Sequence, residues 1–219
     1  MPSTRPTESR KTRRENKADA LIISVCGLAG SGKSTVARKL AKKYHLKHFS
    51  GGDALKALAL KESFKPTRAD YGWWESKEGL RFLKTRGLNH RYDKRVDQEL
   101  LEIAERGDVV LDSWTMPWLL KKGFKIWLEA SVEKRAERIA QRDKIPLPAA
   151  LQAVKEKESQ TKTIYKRLYG FRLGEDFAPF HFILDTNNLN AIEVFQVLCE
   201  VIDKTVIAHA TSGNGRIIE

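Results

Sequence analysis

The sequence has little to offer disulfide, membrane or metal-cluster chemistry. It holds two cysteines in 219 residues, Cys26 and Cys199, and both fall inside apolar stretches. That excludes the cysteine-dense frame of a small secreted domain. Apolar runs are strand-sized, as in Leu21-Ile22-Ile23, far short of the ~20 residues that span a bilayer. The first residues lack the apolar stretch of a secretory signal, so a cytoplasmic setting without membrane contact is expected. Five histidines, at 45, 48, 90, 181 and 209, show no metal-ligand spacing. Acidic charge is also short: 28 Asp and Glu against 40 Lys and Arg leave a net +12. In residues 1–17, six cations (Arg5, Arg10, Lys11, Arg13, Arg14, Lys17) stand against Glu8 and Glu15, which places +4 of that excess there. A basic body suits a protein that holds several phosphates, and it also suits a polyanionic partner.

What remains is the alternation of a doubly wound α/β protein. Residues 1–18 carry almost no apolar side chains and read as a disordered basic tail, 19–208 as one folded domain and 209–219 as a second tail. Strands are expected at 20–26, 48–49, 108–112, 124–128 and 181–185. Helices are expected at 34–44, 53–61 with Asp53 as N-cap, about 75–85, 93–106, 132–142, 147–168 and 191–206. Strands alternating with helices predict a parallel sheet covered on both faces, a three-layer α/β sandwich.

Gly27-Leu28-Ala29-Gly30-Ser31-Gly32-Lys33-Ser34 satisfies G-x-x-x-x-G-K-[ST], after an apolar strand and before an amphipathic helix. The chemistry requires that order. Glycines let backbone N–H groups surround a phosphate, and the helix N-terminus adds positive potential. The loop through Thr35 is therefore the expected ATP cradle, with Lys33 catalytic on the β- and γ-phosphates and Ser34 a ligand of Mg²⁺. Val109-Val110-Leu111-Asp112 runs apolar residues up to an acid at a strand end, which makes Asp112 the second candidate for the metal. Arg138 and Arg142 lie four apart on one side of a helix, where a guanidinium pair can stack on a base or fork onto phosphate. Asn16-Lys17-Ala18-Asp19 matches the letters of a guanine-reading motif, but no strand precedes it and D-x-x-G is absent from the chain.

Beyond the P-loop, four stretches carry a resemblance. They are Ser50-Gly-Gly-Asp53; Val96-Asp97 with Val109 to Asp112; Lys125-Ile-Trp-Leu128 followed by Arg135-Ala-Glu-Arg138-Ile-Ala-Gln-Arg142; and Tyr165-Lys-Arg-Leu-Tyr169-Gly170 followed by Phe182-Ile-Leu-Asp185-Thr186. Together the chain resembles the nucleoside monophosphate kinases, most of all the archaeal-type cytidylate kinases, from about Leu21 to Val206. The resemblance implies transfer of phosphate from ATP to CMP or dCMP, a monophosphate-binding flap over 53–91 and a lid over 143–168. It also implies that Ser50, Asp53, Lys56, Trp114 and Lys162 stand at monophosphate-binding positions. Three positions depart from it. Lys56 and Trp114 replace arginines, and Ile164 stands where the lid has an arginine, with Lys162 nearby. Lys lacks the bidentate fork of Arg. Compensation is expected from Lys56, Arg68, Arg81 or Arg91, and the neighbouring Trp73 and Trp74 can stack on a base. The other readings are a kinase acting on AMP or a small alcohol, and an ATP-dependent RNA- or ribosome-associated factor that uses the basic tail. The enzyme itself is expected to be a monomer.

Overall fold

A computed structural model describes residues 20–65 and 72–207. Both tails, Arg68 and Tyr71 lie outside the described residues.

Five parallel strands form one sheet in the order β2-β3-β1-β4-β5: β1 Ile22–Cys26, β2 Lys47–Ser50, β3 Val109–Asp112, β4 Phe124–Glu129 and β5 Phe182–Asp185. Strands β1 and β3 are buried throughout, as expected where helices cover both faces. Alternate side chains divide the core. Ile23, Val25, Val110, Ile126 and Leu128 pack with Val36, Leu40, Val194 and Leu198 from helices α1 (Lys33–Lys43) and α8 (Ala191–Ile202). Ile22, Val109 and Leu111 pack on the other face with Leu55, Phe82, Val96 and Leu100. These come from α2 (Gly51–Lys61), α3 (Lys77–Leu88) and α4 (Arg91–Arg106). The fold is the expected parallel α/β sandwich.

Several boundaries differ from expectation. Helix α2 begins at Gly51, and its N-cap is Ser50, whose hydroxyl accepts from the Asp53 N–H at 3.2 Å. Asp53 therefore sits in the first turn, where an acid favours the positive end of the helix, and is not the cap. A 3-10 turn, Trp73–Glu75, precedes α3, which starts later than expected because Ser76 caps it through the Gly79 N–H. The short α5 (Met116–Leu119) was not expected. Four residues, with Pro117 in the first turn, are too few to show a helical period. Helix α6 spans Val132–Asp143 and α7 spans Leu147–Tyr169. Helix α8 ends at Ile202 and passes into a π-turn, Asp203–Ile207, inside the stretch expected to be one helix.

The sheet register positions the site. Ser50 at the end of β2 pairs with Asp112 at the end of β3, and Val25 of β1 pairs with Asp112 from the other side. Cys26 then leads into Gly27. The P-loop, Ser50 and Asp112 thus emerge side by side at the C-terminal edge, where open α/β sheets place their ligands.

Candidate active site

The loop after β1 has a tight backbone. Gly27 has φ +149°, and a Cβ there would come within 2.5 Å of the Leu128 carbonyl oxygen; Gly30 has φ +83°, and its Cβ would come within 2.5 Å of the Arg135 carbonyl oxygen. Only glycine accommodates both the torsion and the contact. The loop is thereby pressed between β4 and the start of α6. Arg135, buried on α6, fixes that contact: it donates to the Ala29 carbonyl at 3.1 Å, to Ala130, and to Glu158 of α7. One guanidinium thus ties the phosphate loop to both helices that follow β4.

Two cavities open around this loop. The first, about 430 Å³, is lined by Ser31 to Val36, by Arg138 and Arg142 of α6, and by Thr186, Leu189 and Asn190 after β5. The second, about 260 Å³, is lined by Ser50, Asp53, Trp74, Asp112, Ser113 and Trp114, among others. Gly30, Lys33, Ser34, Arg38, Ile139 and Arg142 line both. The P-loop lysine therefore stands at the junction of two spaces, one beside the loop after β5 and one beneath α2 and α3.

The expected residues divide on inspection. Lys33, Ser34, Arg142, Asp112, Ser50, Asp53 and Trp114 come together at the junction or in the second cavity. Asp112 is buried, and its carboxylate makes no hydrogen bond or ion pair among the described residues. Arg138 faces the first cavity, where it donates to Thr186 Oγ1 at 3.1 Å and to the Thr186 carbonyl at 2.6 Å. It therefore shapes the wall of that cavity. Arg142 forks onto its neighbour Asp143 at 2.7 and 2.6 Å. Trp114 donates its indole N–H to the Gly27 carbonyl at 2.5 Å, and the Lys33 ammonium lies 5.4 Å from its ring centroid.

Lys56 and Lys162 stand apart. Lys56 lines neither cavity. Lys162 faces Glu175 at 3.7 Å and lines a separate surface hollow with Lys166 and Arg172. The compensating arginines named from sequence are also engaged elsewhere. Arg81 lies over Phe64 at 4.9 Å, and Arg91 pairs with Glu62 at 2.9 Å.

Two residues that sequence reasoning did not single out line the second cavity instead. Lys157 of α7 lines the second cavity, 4.6 Å from the Trp74 centroid and 5.7 Å from that of Trp114. Arg86 of α3 lines it too, only 1% exposed and paired with buried Asp93. Burial is the largest influence and opposes its charge, but Asp93 and Tyr165 together more than offset it and hold the guanidinium above its ordinary value. A signal was present: Gly79, Phe82, Leu83 and Arg86 make the buried stripe of α3, and an arginine in register with an apolar stripe demands a partner. Beneath lies a buried carboxylate, Asp97. It accepts from Thr115 Oγ1 at 2.5 Å and from the Tyr169 hydroxyl at 2.6 Å, and Ser113 Oγ lies 3.0 Å from Thr115 Oγ1. Burial pushes the Asp97 carboxyl up to about 6 despite those hydrogen bonds.

A P-loop at the meeting of two cavities has room for a nucleotide beside a second molecule. Residues 22–188 match the cytidylate kinase-like family. The chain belongs to that family. It is 32% identical over 186 residues to a cytidylate kinase of Pyrococcus horikoshii, covering 84% of this chain and 90% of the relative. It is 32% identical over 188 residues to one of Methanocaldococcus jannaschii (84% and 98%), and 34% identical over 184 residues to one of Sulfurisphaera tokodaii (81% and 93%). Membership makes the chain a phosphotransferase with ATP as donor, as the resemblance implied. Among solved structures, an uncharacterized protein from Eubacterium ventriosum superposes with TM-score 0.59 at 17% identity, over 84% of this chain and 99% of that one. A deoxyadenosine kinase from M. mycoides superposes with TM-score 0.51 at 15% identity, over 84% and 100%. Those likenesses show the family's P-loop α/β fold. Among the described residues, no helix is long and apolar enough to cross a membrane.

Proposed function

We propose that this member of the family moves the γ-phosphate of ATP to CMP or dCMP. The observation that carries the reading is the pair of cavities meeting at Lys33 and Arg142. Phosphoryl transfer needs donor and acceptor in line across the transferring group, with cations around it, and needs no protein nucleophile. In this reading the first cavity takes ATP, with its base toward Arg138 and the loop from Thr186 to Asn190 and its phosphates in the loop from Gly27 to Thr35. The second takes the monophosphate, against Ser50, Asp53 and Trp114. Lys33 neutralises charge on the β- and γ-oxygens, and Arg142 leaves Asp143 to meet the transferring group.

The oxygens of Ser34 and Asp112 suit a hard divalent ion, and both line the second cavity. The buried Asp112 carboxylate, without a partner among the described residues, fits that use. Mg²⁺ held there offsets the negative charge of the donor phosphates. Helix α7 with the end of α6, over 143–168, acts as a lid, and 53–91 as a flap. Their closure excludes water, so that the phosphate reaches the acceptor and not solvent. The 32–34% identity to curated cytidylate kinases supports a pyrimidine acceptor and a cytoplasmic setting over an RNA-associated factor. Steady-state kinetics with CMP, dCMP, UMP, AMP and GMP test the acceptor. CMP or dCMP is expected to lead in kcat/KM by at least about tenfold, the low end of the discrimination that one small group makes in a pocket. A tenfold preference for AMP or GMP would overturn the pyrimidine assignment.

A further inference from the structure

We infer that Arg86 of α3 binds the phosphate of the acceptor nucleotide, in place of the arginines that the family resemblance places at 56, 114 and 164. The inference rests on the second cavity being the acceptor space. Arg86 is among the largest fully buried side chains, at 1% exposure, and lines that cavity. Its guanidinium is held on two corners. Nε donates to Asp93 Oδ2 at 3.2 Å, and Nη2 donates to Asp93 Oδ1 at 2.5 Å and to the Tyr165 hydroxyl at 3.4 Å. Nη1 donates to no described residue. Nη1 is not one of the buried unpartnered atoms among the described residues, so it borders open space, and the open space that Arg86 lines is the second cavity.

Charge selects the occupant. Five cations line the second cavity (Lys33, Arg38, Arg86, Arg142 and Lys157) against two acids, Asp53 and Asp112, and with Asp93 and Asp143 paired to Arg86 and Arg142 the balance is still positive by one. Such an excess in a confined space calls for an anion. Asp93 does not cancel the role. A carboxylate that grips two corners of a guanidinium fixes its plane, so the third corner is preorganised and little entropy is lost when phosphate arrives. Position supports the substitution. Arg86 bonds to Tyr165, the residue after Ile164, so it reaches from another helix to the part of α7 where the lid arginine is missing. Ile164 itself is buried in an apolar cluster with Leu83.

The test uses Arg86→Lys, which keeps the charge and loses the fork, and Arg86→Met/Asp93→Asn, which removes the charge without leaving a lone buried carboxylate. KM and kcat are measured for CMP and ATP, together with the competitive inhibition constant of cytidine, which lacks the phosphate. Arg86→Lys is expected to raise the KM for CMP about tenfold, and the double variant up to about a hundredfold, the range for losing one charge-assisted hydrogen bond. The KM for ATP and the inhibition constant of cytidine stay within about twofold, the span of a contact with no part in either. Equal losses for CMP and cytidine would show that Arg86 only shapes the cavity, and an unchanged KM for CMP would show that it does not meet the acceptor. Either result overturns the inference alone. A native protein that phosphorylates no monophosphate overturns the acceptor reading and this inference with it.

Discussion

Replacing Asp97 by Asn tests the electrostatics beneath the site most sharply. Asp97 lies on α4, buried, between Thr115 beyond β3 and Tyr169 at the end of α7. Burial raises its carboxyl from 3.8 to about 6; Thr115, Tyr169 and Arg86 pull the other way, while neighbouring Asp93 adds to the rise. The folded chain therefore keeps this proton over a range where the unfolded chain has lost it. The stability this supplies is complete below pH 3.8 and is lost as pH rises through about 6. At about 1.4 kcal/mol per tenfold change in proton affinity, the loss is about 3 kcal/mol. Asn keeps an acceptor for Thr115 or Tyr169 and cannot ionise. Relative to the native protein, Asp97→Asn should therefore gain on the order of 2–3 kcal/mol between pH 4 and pH 7.5. Urea unfolding of both proteins at the two pH values measures this, because every other carboxylate cancels in the difference. A gap that is constant to within about 0.5 kcal/mol, the usual error of additivity, would refute the argument that desolvation dominates at Asp97.

Two further outcomes follow from the proposed site. Lys33→Ala should lower kcat by more than about a hundredfold, or ~3 kcal/mol of barrier. Thermal unfolding should barely change, since the ammonium's described contact is only the Trp114 face at 5.4 Å; near-native turnover would contradict its role. Hydrogen exchange over 143–168 and over the described part of 53–91 should slow when a bisubstrate analogue binds, and equal exchange with and without it would contradict closure.

Much of the fold was legible because its signals are local. Apolar strands, one complete phosphate-loop motif and helices with clear stripes determine the layers without reference to distant residues; on α4 the stripe expected at Val96, Leu100 and Ile103 is buried at the first two, with Ala104 rather than the half-buried Ile103 as the third. The placement of the P-loop and Asp112 was legible for the same reason, since each stands at the end of a strand, and Ser34 and Arg142 lie on the helices that follow β1 and β4. The acceptor side was harder to read. Lys56 has the right charge and spacing, yet it lines neither cavity. Lys162 and Lys157 differ by five residues on one helix, more than one turn apart, and only the packing of α7 against α3 and α6 decides which reaches the cavity. Arg86 was hidden by its surroundings. It lies in a stretch of mixed charge, and nothing local announces that Asp93, seven residues on, and Tyr165, from the far end of α7, close around it.

The fate of the γ-phosphate decides whether the chain passes phosphate between two bound nucleotides. With γ-labelled ATP, Mg²⁺ and CMP in a single turnover, the account predicts that the label appears in CDP, and that omitting CMP leaves ATP essentially intact. Label released as inorganic phosphate at the same rate with and without CMP would contradict it.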